Sequence, residues 1–279
     1  MKHIIHLIRF VLVLFISLIL TDLVNAQVNL SGKPGLLFIP SARGLTDGEL
    51  LLGVTHNPIR YAVSGINNLG STTSLNGNAE NVFYATLCVL PRFEISFTLL
   101  RPIGYLPLRA RGIGDRQFDL KYQILTEREK RPAFAVILSA PFGLNNSLIT
   151  HALVATKTVS LNERVKAEFT AGYGSPYYFD KSGDADKYDF LGGYELRNKN
   201  ENLGQYLTGP FGGVVVRFQD KLGLMAEWDS QRVNLGGYAT LFNRLTIQAG
   251  LLNFDQVTVG ASYAVSLRKL PKRITNLIP

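Results

Sequence analysis

Apolar and polar residues alternate with a period of two along much of the chain. The alternation is clearest between Arg92 and Leu99 and between Gln117 and Ile124, where hydrophobic side chains are separated by charged or polar ones. Three further runs, 164–173, 245–251 and 256–265, repeat it. Because successive strand residues point to opposite faces of a sheet, this period predicts strands with one apolar and one polar face. A helical period explains none of these runs.

Weaker, more apolar segments of similar length raise the predicted number of strands to 12. They lie at 48–57, 81–90, 132–140, 149–158, 210–218, 222–229 and 233–241. An even number of strands, each near the ~9–11 residues that cross a bilayer at a tilt, is typical of single-chain bacterial outer-membrane barrels. We therefore predict an all-β fold, an antiparallel transmembrane β-barrel.

The predicted connections alternate between long and short. The long ones are Pro58 to Glu80, Arg101 to Gly114, Pro141 to Leu148 and Gly174 to Gly209. The short ones are Pro91, Thr126 to Arg131, Val159 to Glu163 and Gln219 to Lys221, and the last links, around Ser230 and Asn253, are short as well. Outer-membrane barrels have long external loops and short periplasmic turns, so the rhythm places the start of the barrel on the periplasmic side. A soluble β-sandwich or lipocalin-like barrel, with its apolar faces turned inward, is the alternative.

The first 26 residues have the order of a secretory signal peptide. Lys2 and Arg9 precede the apolar run Phe10 to Leu20, and Ala26 is a small residue at the expected cleavage position. This run is shorter than the roughly 20 residues of a membrane-spanning helix, although an uncleaved anchor is the alternative. We expect cleavage after Ala26 and delivery to the outer membrane of a Gram-negative bacterium.

Cleavage divides the remaining chain into three parts. We expect a periplasmic N-terminal segment at 27–47, the barrel at 48–267 and a basic C-terminal tail at 268–279. The signal peptide removes two of the 29 Lys and Arg and one of the 21 Asp and Glu, which leaves a net charge of +7. Such a charge favours acidic partners such as lipid phosphates or anionic polysaccharide. Cys88 is the only cysteine, so no intrachain disulfide can form.

The residues around the predicted first strand carry a family resemblance. The stretch from Gly35 to Arg43 contains Pro40 and Ser41 and is followed by Asp47. Further matches are Gly112-Ile113-Gly114-Asp115 leading into Phe118 to Tyr122, and, more loosely, Phe211 to Val214 leading into Leu224 to Asp229. Together they resemble the YjbH-like family of outer-membrane proteins linked to exopolysaccharide and capsule production. The resemblance implies that this chain takes part in the same process, with other export components as partners.

The chain departs from that family in two ways. Larger members resemble two barrel-like halves in one chain, and some are lipoproteins. This chain has room for one barrel and no cysteine near the cleavage site to carry a lipid. A role that needs both halves is therefore in doubt. Its last strand, with Thr258, Gly260, Tyr263 and Val265, resembles the terminal signal that the barrel assembly machinery recognises.

Pairs of charged residues two positions apart suggest a charge ladder in the lumen. Two residues apart means the same face of a strand, so the members can pair across strands and partly fill the lumen. The ladder comprises Asp119, Lys121, Lys166, Glu168, Glu227 and Asp229. A substrate path is the alternative. We expect Arg43 to anchor the N-terminal segment inside the periplasmic mouth.

Two of the long loops carry residues suited to glycans. Aromatic rings stack on sugar rings and arginines bind acidic groups. The candidates are Arg101, Arg109, Arg111, Tyr177, Tyr178 and Tyr188. Alternatively, the aromatic residues form the interfacial girdle of the barrel and the arginines meet outer-membrane lipid and lipopolysaccharide phosphates.

Catalytic chemistry has little support. Only His56 and His151 remain after cleavage, and no third orienting residue is evident for a pair of His151 with Thr150 or Ser147. Zinc ligands are too few, no phosphate-binding glycine motif occurs, and the compartment excludes nucleic acid. We expect no enzyme, cofactor or metal. Three hypotheses remain: assistance to exopolysaccharide or capsule export or assembly, a general diffusion porin, and an outer-membrane acyl hydrolase.

Overall fold

In the computed structural model, twelve antiparallel strands close into one barrel. The structure describes residues 27–58, 61, 79–103, 115–141, 148–182, 192–199 and 206–268. The strands are β1 (Glu49–Pro58), β2 (Ala79–Leu90), β3 (Phe93–Ile103), β4 (Asp115–Leu125), β5 (Ala133–Ser139), β6 (Ala152–Ser160), β7 (Val165–Gly174), β8 (Tyr177–Lys181), β9 (Tyr194–Asn198), β10 (Gly209–Phe218), β11 (Leu222–Trp228), β12 (Val233–Leu241), β13 (Leu245–Leu252) and β14 (Gln256–Ser266).

Neighbours in sequence are neighbours in the barrel, with one exception. Strands β8 and β9 form a separate two-stranded sheet, so β7 pairs with β10, and β14 closes the barrel on β1. The predicted 12-stranded antiparallel barrel is confirmed. The additional hairpin lies in the link from Gly174 to Gly209, which we predicted to be a loop. The hairpin was not predicted because strands of five residues are too short to show a clear period. The described part of the chain contains no helix long and apolar enough to cross a membrane.

The barrel turns its apolar face outward and its polar face inward. On β4, Gln117, Asp119 and Lys121 are buried, whereas Phe118 and Tyr122 are 48% and 46% exposed. The other strands repeat this arrangement with exposed leucine, valine and phenylalanine residues. A soluble barrel would show the reverse, so the soluble alternative does not describe this wall.

The two ends of the barrel differ in their connections. At the end that we call the short-turn end, five turns of two to seven residues join β2 to β3, β4 to β5, β6 to β7, β10 to β11 and β12 to β13. Gln219-Asp220 and Phe242-Asn243 have positive φ at both positions, which is the geometry of tight type I′ hairpins. The opposite, long-loop end carries the extended connections and the β8–β9 hairpin.

The N-terminal segment fills the lumen. We expected 27–47 to form a periplasmic segment, but residues 27–42 are all buried inside the barrel. The physical reason is apolar: Leu30 and Leu36 to Ile39 join one hydrophobic cluster with the inward-facing Val215 and Met225 of the wall. The segment also satisfies its own backbone, since Leu30 N donates to Leu37 O at 2.7 Å and Ser41 N donates to Pro34 O at 2.8 Å. We call residues 27–47 the plug.

Glycines in the wall make room for the plug. A Cβ at Gly250 would lie 2.5 Å from Leu37 Cδ1, and one at Gly213 would lie 2.6 Å from Leu36 Cδ2. Real Cβ atoms do not approach other atoms so closely, so side chains at these lumen-facing positions would displace the plug. The wall and the plug are therefore complementary in shape.

Tyr84 of β2 is held between the plug and the neighbouring strand. A Cβ on Gly32 of the plug would lie 2.6 Å from the Tyr84 ring, and one on Gly53 of β1 would lie 2.5 Å from it. Gly32 also has a φ of +79°, a conformation that residues with a side chain rarely adopt. Gly209 has a φ of +95° but open space at its Cβ position. A substitution at Gly209 therefore adds backbone strain without a steric contact.

We predict that Gly32→Ala destabilises the barrel more than Gly209→Ala does. Both substitutions add backbone strain of roughly 1 kcal/mol, but only the first forces a methyl group into Tyr84, which adds about 1–3 kcal/mol. Unfolding of the purified protein in detergent, followed by the band shift between folded and heated samples, measures the difference. Equal destabilisation by the two variants would show that Gly32 does not pack against Tyr84.

Candidate functional site

Glu227 of β11 holds the tip of the plug. Its carboxylate accepts hydrogen bonds from the backbone N–H groups of Leu37, Phe38 and Ile39 at 3.0, 2.8 and 3.3 Å. Asn234 on the next strand donates to the same carboxylate at 3.1 Å. Three successive backbone donors around one buried acceptor satisfy groups that the irregular plug cannot pair within itself.

A plug cation meets a second wall carboxylate. Lys33 Nζ lies 2.5 Å from Asp119 Oδ2, and both side chains are about 2% exposed. The other oxygen of Asp119 accepts a hydrogen bond from Ser139 Oγ at 2.5 Å. Lys33 also donates to Ser31 within the plug at 3.0 Å, so the ammonium group is buried but well solvated by protein oxygens.

The part of the plug near the short-turn end is fixed by two more carboxylates. Arg43 Nε lies 3.1 Å from Glu168 Oε2, which Arg217 approaches from the wall to 2.7 Å. Glu94 accepts the Leu45 N–H at 2.7 Å and pairs with Lys121 at 3.4 Å. Lys121 also donates to the backbone carbonyl oxygen of Arg43. The plug thus contacts charged wall residues at Lys33, at residues 37–39, at Arg43 and at Leu45.

The remaining motif residues occupy the plug itself. Pro40 forms an isolated bridge with Gly35, and Ser41 Oγ donates to Pro34 O at 3.2 Å. Asp47 pairs with Arg268, just beyond the last strand. The motif residues therefore shape the fold of the plug and its exit from the barrel.

The charge ladder differs from the one that we expected. Five of its six members are buried in the lumen or at its edge, but Asp119, Glu168 and Glu227 bind the plug as well as residues on neighbouring strands. Lys121 and Glu94 are the directly opposed pair across two strands. Lys166 lies outside the buried set and pairs with Asp220 at 2.7 Å near the short-turn end. Sequence spacing alone could not show that a third element would stand between the strands.

The wall of the lumen is acidic. Among the described residues, the buried charged side chains of the barrel strands are six acidic and two basic. The acidic ones are Glu49, Glu80, Glu94, Asp119, Glu168 and Glu227, and the basic ones are Lys121 and Arg217. Lys33 and Arg43 of the plug offset part of this excess, so the plug supplies charge as well as volume. The residual field is unfavourable for an anionic chain in the lumen.

The plug packs closely against the described part of the wall. A gap remains between the plug and strands β1, β13 and β14, lined in part by Leu37, Phe38, Gln248 and Thr258, and it is too narrow to hold a water molecule. Within the described residues, no group of three or more His, Cys, Asp or Glu side chains is arranged to hold a metal ion.

The glycan candidates are only partly accessible. Arg101 is exposed near the long-loop end of β3, and Tyr177 is 49% exposed on β8. Tyr178 has no exposed surface, because alternation along β8 turns it to the opposite face, so it is not a surface contact. Arg109, Arg111 and Tyr188 lie outside the described residues.

A buried lysine lies beneath the β8–β9 hairpin. Lys199 is 2% exposed, and its Nζ donates to Tyr206 O at 3.2 Å. Burial lowers the pKa of Lys199 to about 8, an effect that Asp119 opposes. The described hydrogen bonds of Lys199 go to backbone atoms of the chain around the hairpin, Pro176 and Tyr206.

Four residues that take part in holding the plug were not predicted from the sequence. They are Lys33 in the plug itself and Glu94, Arg217 and Asn234 in the wall. One signal was present: Leu36-Leu37-Phe38-Ile39 is an apolar run in a segment assigned to water. Another was the set of glycines at lumen-facing positions of the predicted strands, which mark close approach of another element.

These features define a closed twelve-stranded antiparallel barrel with an internal N-terminal plug. The model of the YjbH protein family matches residues 27–276 of the chain. The family is described as "Exopolysaccharide biosynthesis protein YbjH". The chain therefore belongs to the YjbH family, and the match begins at the first residue of the plug.

Two further comparisons are with curated proteins and with solved structures. No curated protein matches the chain. One similar solved structure, from a study of "De novo design of transmembrane beta-barrels", is 10% identical and covers 80% of this chain and 100% of its own, with a TM-score of 0.22.

We predict that Glu227→Leu loosens the plug. The substitution removes the acceptor of three backbone N–H groups and leaves them unpaired in the lumen, at a cost of about 2–4 kcal/mol. Hydrogen exchange at residues 37–39 should accelerate, and the free energy of unfolding should fall. Glu163→Leu, which removes an exposed turn carboxylate, serves as the matched control. Unchanged exchange at residues 37–39 would contradict the role given to Glu227.

Proposed function

We propose that this protein is an outer-membrane barrel that assists the export or assembly of an exopolysaccharide or capsule, with its short turns in the periplasm. The family description supports the involvement in exopolysaccharide biosynthesis. The loop asymmetry supports the orientation, because outer-membrane barrels have short turns on the periplasmic side.

The outer surface supports the location in a membrane. Aromatic side chains are exposed towards both ends of the wall, as in the aromatic girdles that flank the apolar band of such barrels. They include Tyr173, Trp228 and Phe254 towards the long-loop end and Phe218 and Phe242 towards the short-turn end. Lipid and lipopolysaccharide are the partners that this surface suits, and the barrel assembly machinery is the partner expected for its insertion.

The plugged lumen is the observation that carries the accessory role. Sixteen consecutive residues, 27–42, are buried in it and bound to the wall at Glu227, Asp119 and Glu168. A general diffusion porin needs an open aqueous channel. A barrel filled in this way is better suited to holding a partner or a glycan at its mouths than to passing solutes.

We also propose that the role is not enzymatic. Ser139 and His151 lie close together, but His151 Nδ1 accepts the backbone N–H of Ser139 at 3.2 Å. The Ser139 hydroxyl donates to Asp119 and accepts the Thr150 N–H at 2.6 Å. A nucleophile activated by histidine needs a hydrogen bond between its hydroxyl and the imidazole. Of the two partners of His151 considered from the sequence, Thr150 donates its hydroxyl to Leu148 O at 3.0 Å, and Ser147 lies outside the described residues.

Deletion of the gene should reduce surface exopolysaccharide or shorten its chains. Loss of an export or assembly component leaves polymer synthesis intact but impairs its delivery, so polysaccharide should also accumulate inside the cell envelope. The measurement compares surface and total polysaccharide in the deletion strain, the wild type and a strain complemented with the full chain. Normal amount and chain length at the surface would remove the proposed role.

The purified full-length protein should form no steady ion channel in planar lipid bilayers. The reason is the plug buried in the lumen, and a gap beside it at strands β1, β13 and β14 is too narrow for water. An open porin purified in the same detergent provides the control for insertion and sensitivity. Reproducible conductance steps from this protein would favour the diffusion-porin alternative.

A further inference from the structure

Five basic residues surround the mouth of the barrel at the short-turn end. Each lies in a different turn, directly before a strand or two residues before one, and each is exposed or half-buried. They are Arg92, Arg131, Arg164, Lys221 and Arg244. We call these five residues the mouth collar.

The collar residues share the parity of the lumen face. Each lies two positions before an inward-facing residue of its strand. The backbone oxygens of Arg92, Arg164, Lys221 and Arg244 accept N–H groups from the neighbouring chain segments, so the ladders, and with them the alternation of faces, continue into the turns. The five inward-facing residues are Glu94, Ala133, Lys166, Gly223 and Thr246. Residues one position further on, such as Leu222, are exposed on the outer wall. This register assigns the collar to the side of the barrel axis rather than the lipid-facing side, except at Arg92, whose φ of +73° interrupts the alternation.

The charges of the collar are not neutralised by carboxylates. Within the part of the chain that the structure describes, none of the five forms an ion pair. Two exposed turn carboxylates, Glu129 and Glu163, also form no ion pair there, whereas three other acidic groups nearby already have partners. Glu127 pairs with Lys157 at 3.2 Å, Asp220 pairs with Lys166 at 2.7 Å, and Asp47 pairs with Arg268. The five cations of the collar thus outnumber the exposed carboxylates, Glu129 and Glu163, that lie beside them in the same turns.

The long-loop end has no comparable excess of charge. Its loops outside the described residues contain four basic residues, Arg60, Arg109, Arg111 and Lys187, and four acidic ones, Asp184, Asp186, Asp189 and Glu201. The lumen between the two ends is acidic. The positive charge of the mature chain is therefore concentrated at the short-turn end and in the basic tail.

We propose that the mouth collar is a docking site for an acidic polysaccharide, whose carboxylates it binds at the short-turn end. The proposal rests on the proposed function and names the substrate class and the place of contact. Anionic phospholipid is the less suitable occupant, because it would surround the perimeter of the barrel, whereas the collar has the parity of the lumen face. The acidic, filled lumen beyond the collar stops the polymer at the mouth, so the glycan docks without threading.

A charge-matched pair of full-length variants tests the proposal. The collar variant carries Arg92→Gln, Arg131→Gln, Arg164→Gln, Lys221→Gln and Arg244→Gln. The control variant removes five cations from the long-loop end through Arg60→Gln, Arg101→Gln, Arg109→Gln, Arg111→Gln and Lys187→Gln. Both have the same net charge, and the control contains three of the glycan candidates from the sequence, so the two variants compare the two mouths directly.

Binding is measured with polygalacturonate as the acidic probe and dextran as the neutral one, using protein in uncharged detergent micelles. We expect the collar variant to bind polygalacturonate about tenfold more weakly than the wild type, since five exposed charge contacts are each individually weak. The control should change by less than about twofold, and dextran should not bind. Equal losses in both variants, or a loss confined to the control, would overturn the proposal.

Two further measurements keep the outcome interpretable. Folding is checked by the heat-dependent gel shift, and the pair Arg164→Glu and Lys221→Glu, both at exposed turn positions, replaces the collar variant if it fails to fold. Phosphatidylglycerol nanodiscs test the lipid alternative: if incorporation into them abolishes polygalacturonate binding that neutral nanodiscs preserve, the collar is a lipid contact and the proposal fails.

Failure of the docking site can be separated from failure of the proposed function. If deletion lowers surface polysaccharide but the collar variant restores it fully, the function stands and the docking site falls. If the collar variant loses binding in solution but deletion leaves the surface unchanged, the binding site stands and the export role falls.

Discussion

The pairing of buried wall carboxylates with donors on the plug is the interaction on which the rest of the structure depends. Asp119, Glu168 and Glu227 are buried inside the lumen. An ionised carboxylate without compensation is costly in such a place, so each needs a cation or several N–H groups. The plug provides both kinds of partner, through Lys33, Arg43 and the N–H groups of residues 37–39. The wall and the plug therefore form one folding unit.

The same pairing explains the shape of the wall. Glycines at lumen-facing positions admit Leu36 and Leu37, and the apolar cluster around these residues adds the burial that ion pairs alone do not provide. Apolar packing stabilises the inserted plug, while the polar contacts determine its register against the strands. Contacts of the second kind are directional, which is why irregular backbone can be held in one conformation.

The wall could be predicted from the sequence and the plug could not. The two faces of β4 and β7 have different environments, the outer surface and the lumen. Consecutive residues face these environments in turn, so the difference is visible as alternation in the sequence. The plug has no such period, because Asn29 folds it through side-chain contacts with the N–H groups of Ser31 and Lys33. Its other partners, such as Glu227, lie nearly 200 residues away in sequence. The β8–β9 hairpin escaped prediction because its strands are short.

The distribution of charge limits what the barrel can do with an anionic polymer. We expect such a chain to be attracted to the short-turn mouth and then repelled by the lumen, in which acidic side chains outnumber basic ones. The cations of the plug, Lys33 and Arg43, do not offset this repulsion, because they are already paired with wall carboxylates. A conduit for anions needs the opposite order, with basic groups along the path. The proposed docking site thus separates binding from passage, as expected of a protein that presents or retains the glycan at the mouth while another component moves it.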